Sequence, residues 1–193
     1  MPSDERFIRN ARLIGIAIGA LFVSRYLTTW AVADTWTILD NIDLAIHEAG
    51  HMVFMPFGEF MMVLGGSLFQ ILVPAIFVAY FAKQKQWYSA LFLLLWLGQS
   101  CFNLSYYIAD ARARVLPLLS DDPTSHDWTW LLLQMGLLNQ DRAIGNGVRI
   151  IGLMMFVTGV VGCVRVAIYR PPAPSRSVAH ATPLVTRTGG AAE

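Results

Sequence analysis

The chain has 193 residues, of which 55% are hydrophobic and only 14% charged, with a formal net charge of +1. That charged fraction lies well below the roughly 25% of an ordinary soluble domain, and the apolar residues gather in long runs, so a soluble globule is excluded and an integral membrane protein is indicated. A near-neutral chain has no electrostatic footprint for nucleic acid. Cys101 and Cys163 both lie inside apolar runs and form neither a C-x-x-C pair nor a secreted scaffold, which reads as two buried thiols acting as small hydrophobes.

Residues 1–12, MPSDERFIRNAR, are polar, with Arg6, Arg9 and Arg12 flanking the first apolar run. Leu13–Val23 and its continuation predict a first transmembrane helix over about 12–33. Ala31-Val32-Ala33 makes a cleaved signal peptide the alternative. Arg25 would lie at some depth, at a cost on the order of 3 kcal/mol, and must snorkel or meet a carboxylate. A second helix is expected over about 36–56, stopped by Pro56. The next ten residues, FGEFMMVLGG, are too short and too glycine-bounded to span, and predict a small hairpin or re-entrant segment whose edge an extended peptide could join. Glu59 within it is an interfacial charge or a substrate contact.

A third span is expected over about 67–82, with Pro74 as a kink. After the polar turn Lys83–Gln86, Trp87 and Tyr88 read as an interfacial anchor opening a fourth span over about 88–110. A loop follows, and then WTWLLLQMGLL (128–138) reads as an interfacial helix or lid. A fifth span is expected over about 147–169, and the Pro-, Ala- and Ser-rich residues 171–193 predict a disordered tail in which His180 is no site candidate. The expectation is therefore an all-α, multi-pass membrane protein of about five transmembrane helices in one domain, residues 1–170. The bilayer is its first partner, a bacterial inner (plasma) membrane its expected location, and an oligomer or larger complex is open. The flanking basic residues favour an N-inside orientation only slightly.

Chemistry concentrates in the second helix, at His47-Glu48-Ala49-Gly50-His51, an H-E-x-x-H motif. Two histidines four apart on a helix stand on one face, a turn apart, and both can reach one ion. Zinc accepts imidazole nitrogens in a tetrahedral shell. Glu48 points about 100° round the helix, which suits a general base taking a proton from metal-bound water rather than a ligand. Asp40 and Asp43 fall with the histidines in an arc of about 80°. Asp43, four before His47, is expected to hydrogen-bond an imidazole or face water, with ligation as the alternative.

The fourth span carries Gln99, Asn103, Tyr106 and Asp110 within an arc of about 60°. Such a stripe is either a hydrogen-bonded helix seam or the far wall of the metal site. The second and fourth helices run in the same direction with one span between them, so their C-terminal halves reach the same face. The following loop lies on that face and contains Asp121, Asp122, His126 and Asp127. Asp110 and His126 are the candidates to complete the zinc shell, and Asn103 or Tyr106 is the candidate to stabilise an oxyanion.

H-E-x-x-H in an apolar helix, the FGEFMMVLGG segment and a polar helix ending in Asp110 together resemble the site-2 protease group of intramembrane zinc metalloproteases, over about residues 36–127. The resemblance implies that His47 and His51 hold Zn2+, that Asp110 is the third ligand, that Glu48 activates water and that Asn103 faces the substrate, a peptide bond in or near a membrane segment. The family's second motif is N-x-x-P followed by D-G. Here Asn103 and Asp110 stand closer together, without the proline, and Ala111 replaces the glycine that would let the chain turn, so His126 stays open as the ligand instead. The compact branch without a PDZ domain is the better match. A degenerate metal-binding membrane protein, serving as a structural or assembly subunit, is the competing expectation, and a transporter a third.

Overall fold

A computed structural model of the chain describes residues 3–28, 36–117 and 126–169. These are helical throughout, apart from turns: α1 (Ser3–Thr28), α2 (Ile38–Phe54), a 3-10 turn (Met55–Phe57), α3 (Glu59–Lys83), α4 (Trp87–Ala109), α5 (Asp127–Gln134), a second 3-10 turn (Leu138–Gln140) and α6 (Asp141–Ile168). The expected disordered tail and the end of the first span lie outside the described residues.

Helix α2 starts at Thr37, whose backbone N–H and hydroxyl both donate to Asp40 Oδ2 at 2.7 Å. A side chain at the third helical position thereby satisfies donors at the helix start. Pro56 stops the helix in the 3-10 turn, as expected, and Gly58 at φ 92° turns the chain straight into α3. Side chains rarely adopt that φ, which explains the glycine.

The stretch 57–66 is not a hairpin or re-entrant loop: from Glu59 onward it is the first two turns of α3, a 25-residue helix. Gly65 and Gly66 do not break it, because their role is close packing. A Cβ on Gly65 would fall 2.5 Å from Phe54 Cβ and 2.8 Å from Gly50 O, and one on Gly50 would overlap Gly65 O. Small residues let two helix backbones cross at this separation. Pro74 is buried inside α3 without ending it.

Among the described residues four helices are long and apolar enough to cross a membrane: residues 4–25, 59–83, 87–109 and 138–168. Helix α2, expected as a span, is not among them. It has 17 residues, and Asp40, Asp43, His47, Glu48 and His51 interrupt its apolar face. The first and last of the four also begin earlier than the hydropathy pattern suggests, because α1 takes in the polar N-terminal stretch and α6 the polar turns from Asp141.

Helix α4 is the centre of the molecule. On one side α6 lies close along it through glycines: a Cβ on Gly152 would meet Gly98 O at 2.9 Å, and one on Gly145 would meet Ser105 O at 2.7 Å. Helix α1 closes this side, with Ile16 packed beside Cys163 and Ala167, and Val23 beside Phe102 and Phe156. Tyr88 anchors it too, donating from its hydroxyl to Arg12 O at 2.8 Å under the Arg12 guanidinium. On the other side α4 packs against α3 and, at one face, α2. The polarity is inverted relative to a soluble protein. Ile76, Phe77, Ile150, Met154 and Val157 face outward, whereas Asp40, Asp43, Ser67, Gln70, Gln99 and Ser100 are buried. Apolar surroundings would favour this arrangement. Both cysteines are free and buried.

Candidate metal centre

The buried face of α2 carries Asp40, Asp43, His47 and Gly50, the spacing of one helical stripe. His47 and His51 stand with ring centroids 4.9 Å apart. Each ring is fixed by α3 through its Nδ1: His47 Nδ1 lies 3.2 Å from Gln70 Oε1, and His51 Nδ1 2.9 Å from Met62 O. Both acceptors are carbonyls, so each Nδ1 carries a hydrogen, and in the neutral ring this leaves the lone pair on Nε2. Ligating histidines are characteristically held in this way.

The two Nε2 atoms converge on one oxygen, Asp127 Oδ2, at 2.9 Å from His47 and 3.3 Å from His51. Asp127 opens α5, and two contacts bring it there. Its backbone N–H donates to the Tyr107 hydroxyl at 3.1 Å, and the Trp128 indole N–H donates to Ser67 Oγ at 2.9 Å, tying α5 to α3. Gly66 supplies the room beneath, since a Cβ there would fall 2.5 Å from His47 Nε2 and 2.7 Å from His51 Nε2. Burial of Asp127 opposes its charge, but hydrogen bonding to His47 and His51 outweighs burial and holds its carboxyl below the usual carboxylate range.

Asp110 and His126, the expected further ligands, do not join this group. Asp110 caps the end of α4: its Oδ1 accepts the Val115 N–H at 3.1 Å and its Oδ2 the Leu116 N–H at 3.0 Å. The turn it holds places its left-handed residue at Arg114, φ 51°, so no glycine is needed at position 111. Ala111 is instead fully buried. His126 is the N-cap of α5, its Nδ1 accepting the Thr129 N–H at 3.2 Å. Its Nε2 therefore bears the hydrogen and faces Asp110 Oδ2 at 3.5 Å. Burial lowers its pKa, keeping the ring neutral. The Tyr107 ring lies against it at 4.4 Å and against His47 at 5.8 Å.

The polar stripe of α4 does reach α2, through other partners than expected. Asn103 donates to Asp40 Oδ1 at 2.8 Å, Gln99 donates to the same oxygen at 3.0 Å, and Asn103 Oδ1 accepts from Gln70 at 3.0 Å. Asn103 is thus two hydrogen bonds from His47 and touches neither ligand nitrogen. Tyr106 packs in the core with Val23 and Phe102. Asp43 bonds neither imidazole: its Oδ1 accepts from Trp96 at 2.9 Å and Ser100 at 3.1 Å. Glu48 and Glu59 are exposed.

Gln70, Tyr107 and Asp127 are the site residues that the sequence reading leaves aside. Each had a signal. Gln70 is a lone amide in an apolar run, Tyr107 stands four after Asn103, and Asp127 sits where an acidic first-turn residue opens WTWLLLQ.

Comparison with family models, with curated proteins and with solved structures finds no match for this chain.

The donor set itself tests the fit to a metal. The ligand atoms of His47, His51 and Asp127 all lie within 4.8 Å of one another. Both nitrogens of each imidazole face acceptors, yet a neutral imidazole has one hydrogen to give. Either two imidazolium rings share one carboxylate, or the Nε2 lone pairs and the carboxylate share a cation. Two nitrogens and an oxygen suit zinc, and three protein ligands leave a position open.

Proposed function

We propose that this chain is an intramembrane zinc metalloprotease of the site-2 protease kind, hydrolysing a peptide bond in or near a membrane segment of its substrate. The observation that carries this reading is the convergence of His47 and His51 Nε2 on Asp127, on a helix that presents Glu48 next to the first ligand. In this reading His47, His51 and Asp127 hold the ion, and Asp127 takes the role that the family pattern gives to Asp110. Bound there, zinc would supply Lewis acidity and bring the pKa of a coordinated water towards about 7.

The chain's own residues supply the rest. Glu48, exposed on α2, would serve as the general base towards such a water and as the acid towards the leaving amine. Tyr107 is better placed than Asn103 to donate to a developing oxyanion. Its hydroxyl oxygen accepts from the Asp127 N–H and its hydroxyl hydrogen has the Asp127 carboxylate beside it, which keeps the phenol at the ligand itself. The Asn103 amide is bound at both ends.

One observation favours the non-catalytic reading: Asp127 by itself ties the two imidazoles together, so a metal could serve only to hold α5 on the bundle. The test separates the two. Zinc-loaded protein in liposomes is given a library of labelled single-span peptides, with the Glu48→Gln variant alongside. Protease action requires cleavage that drops by about 10²-fold or more in the variant while zinc stays bound. Full zinc loading with no cleavage, or cleavage indifferent to Glu48, would favour the structural subunit.

A further inference from the structure

The hydrogen bonds behind His47 form a chain with a direction, and its starting point is Asp40. This carboxylate is buried, and its Oδ1 faces two side-chain amides, Gln99 and Asn103, at 3.0 and 2.8 Å. A carboxylate accepts and does not donate, so both amides must present their NH2 groups to it. With its NH2 committed there, Asn103 turns its carbonyl to Gln70, 3.0 Å away. Gln70 must then present its own NH2 to Asn103, which leaves its carbonyl for His47 Nδ1 at 3.2 Å. A carbonyl there requires the hydrogen on Nδ1 and frees Nε2 as a ligand. Asp43, the other buried carboxylate of α2, accepts from Trp96 and Ser100, and the Gln70 amide lies beside it as well, so its charge favours the same orientation of Gln70.

We infer that Asp40, acting through Asn103 and Gln70, is the positioning residue that sets the ligating tautomer of His47, three hydrogen bonds away. Reversing the acceptor at its origin reverses the chain. An amide at position 40 can donate to the Asn103 carbonyl, Asn103 then donates to Gln70, and Gln70 turns its NH2 towards His47 Nδ1. The hydrogen moves to Nε2 and the ligand is lost. The conservative change Asp40→Asn, remote from the ion, is therefore the damaging one. The inference rests on the metal-centre reading only for its consequence, since the tautomer itself is a property of the metal-free protein.

The test has two parts, both on the full chain. First, 15N NMR of selectively labelled histidine is recorded on chelator-treated Asp127→Ala protein, where no carboxylate competes for Nε2, at a pH where His47 is neutral. The hydrogen is expected on Nδ1, and finding it on Nε2 overturns the inference whatever the protein does with metals. Second, zinc affinity is measured by competition with a chromogenic chelator. Asp40→Asn is expected to weaken it by about tenfold or more. The double variant Asp40→Asn/Gln70→Glu restores it, because a carboxylate at position 70 accepts from His47 Nδ1 whichever way Asn103 points. A merely structural loss at Asp40 would not be rescued from position 70. Unchanged affinity in Asp40→Asn, or no rescue in the double variant, overturns the relay. Wild-type protein that binds no zinc contradicts the metal centre, while the tautomer still decides the relay. Should Asp40→Asn not fold, the first measurement stands on a chain that retains Asp40.

Discussion

Asp127 Oδ2 stands 2.9 Å from His47 Nε2 and 3.3 Å from His51 Nε2, whereas Asp110, the C-cap of α4, has both oxygens on backbone N–H groups. The two aspartates therefore have separable phenotypes. Asp127→Ala is expected to weaken zinc binding by well over tenfold with little change in helix content, checked by chelator competition and circular dichroism. Asp110→Asn is expected to leave zinc affinity within about twofold and to lower stability by about 1–2 kcal/mol, since an amide can accept from only one of the two N–H groups without turning a donor on the other; denaturant unfolding in detergent micelles measures it. At this scale the H-E-x-x-H pair was legible because its chemistry is contained in five consecutive residues of one helix. The third member was not. It depends on how the chain returns after α4, and His126 and Asp127 are adjacent in sequence yet have opposite fates: one becomes the cap of α5 and the other its first residue, aimed at the histidines.

The elements around the site meet through glycines, and this is where sequence patterning misleads. Gly65 and Gly66 read as punctuation between short segments, yet both lie inside α3 at its crossing with α2. Periodicity cannot separate a glycine that breaks a helix from one that admits a neighbour, because the difference lies in the partner helix. Gly66→Ala makes the point measurable. Alanine is the better helix former by about 1 kcal/mol, so α3 itself should gain. The added methyl would nevertheless displace both imidazoles, and zinc affinity should fall by about tenfold or more with the fold intact. Titration of Co2+ and its visible spectrum provides the check, since tightened or unchanged binding would show that the histidines do not need this space. The polar stripe of α4 was a sounder guide. Gln99 and Asn103 do face α2, although their partner is Asp40 rather than the ion's own shell.

For the whole molecule, composition and run length made helices and an apolar exterior legible, and its 17-residue length and buried polar stripe set α2 apart from the four helices long and apolar enough to cross a membrane. Asp40, Asp43 and His47 belong to the interior of the bundle, bordered by α3 and α4. The glycine seam between α4 and α6 was not legible, because the three-dimensional pairing of Gly98 with Gly152 joins positions 54 apart. Gly152→Leu should force the seam open and cost about 1–3 kcal/mol, read as a lower melting temperature of the detergent-solubilised protein, while alkaline extraction still leaves the chain in the membrane fraction. The proposed chemistry depends on the metal centre, so the decisive measurement is elemental analysis with X-ray absorption at the zinc edge on the detergent-purified protein, wild type beside Asp127→Ala. The expected result is a single bound zinc with two imidazole nitrogens, one carboxylate and a solvent oxygen, and a shell that loses the carboxylate in the variant. Protein that takes up no metal, or a closed shell of four protein ligands, would contradict it.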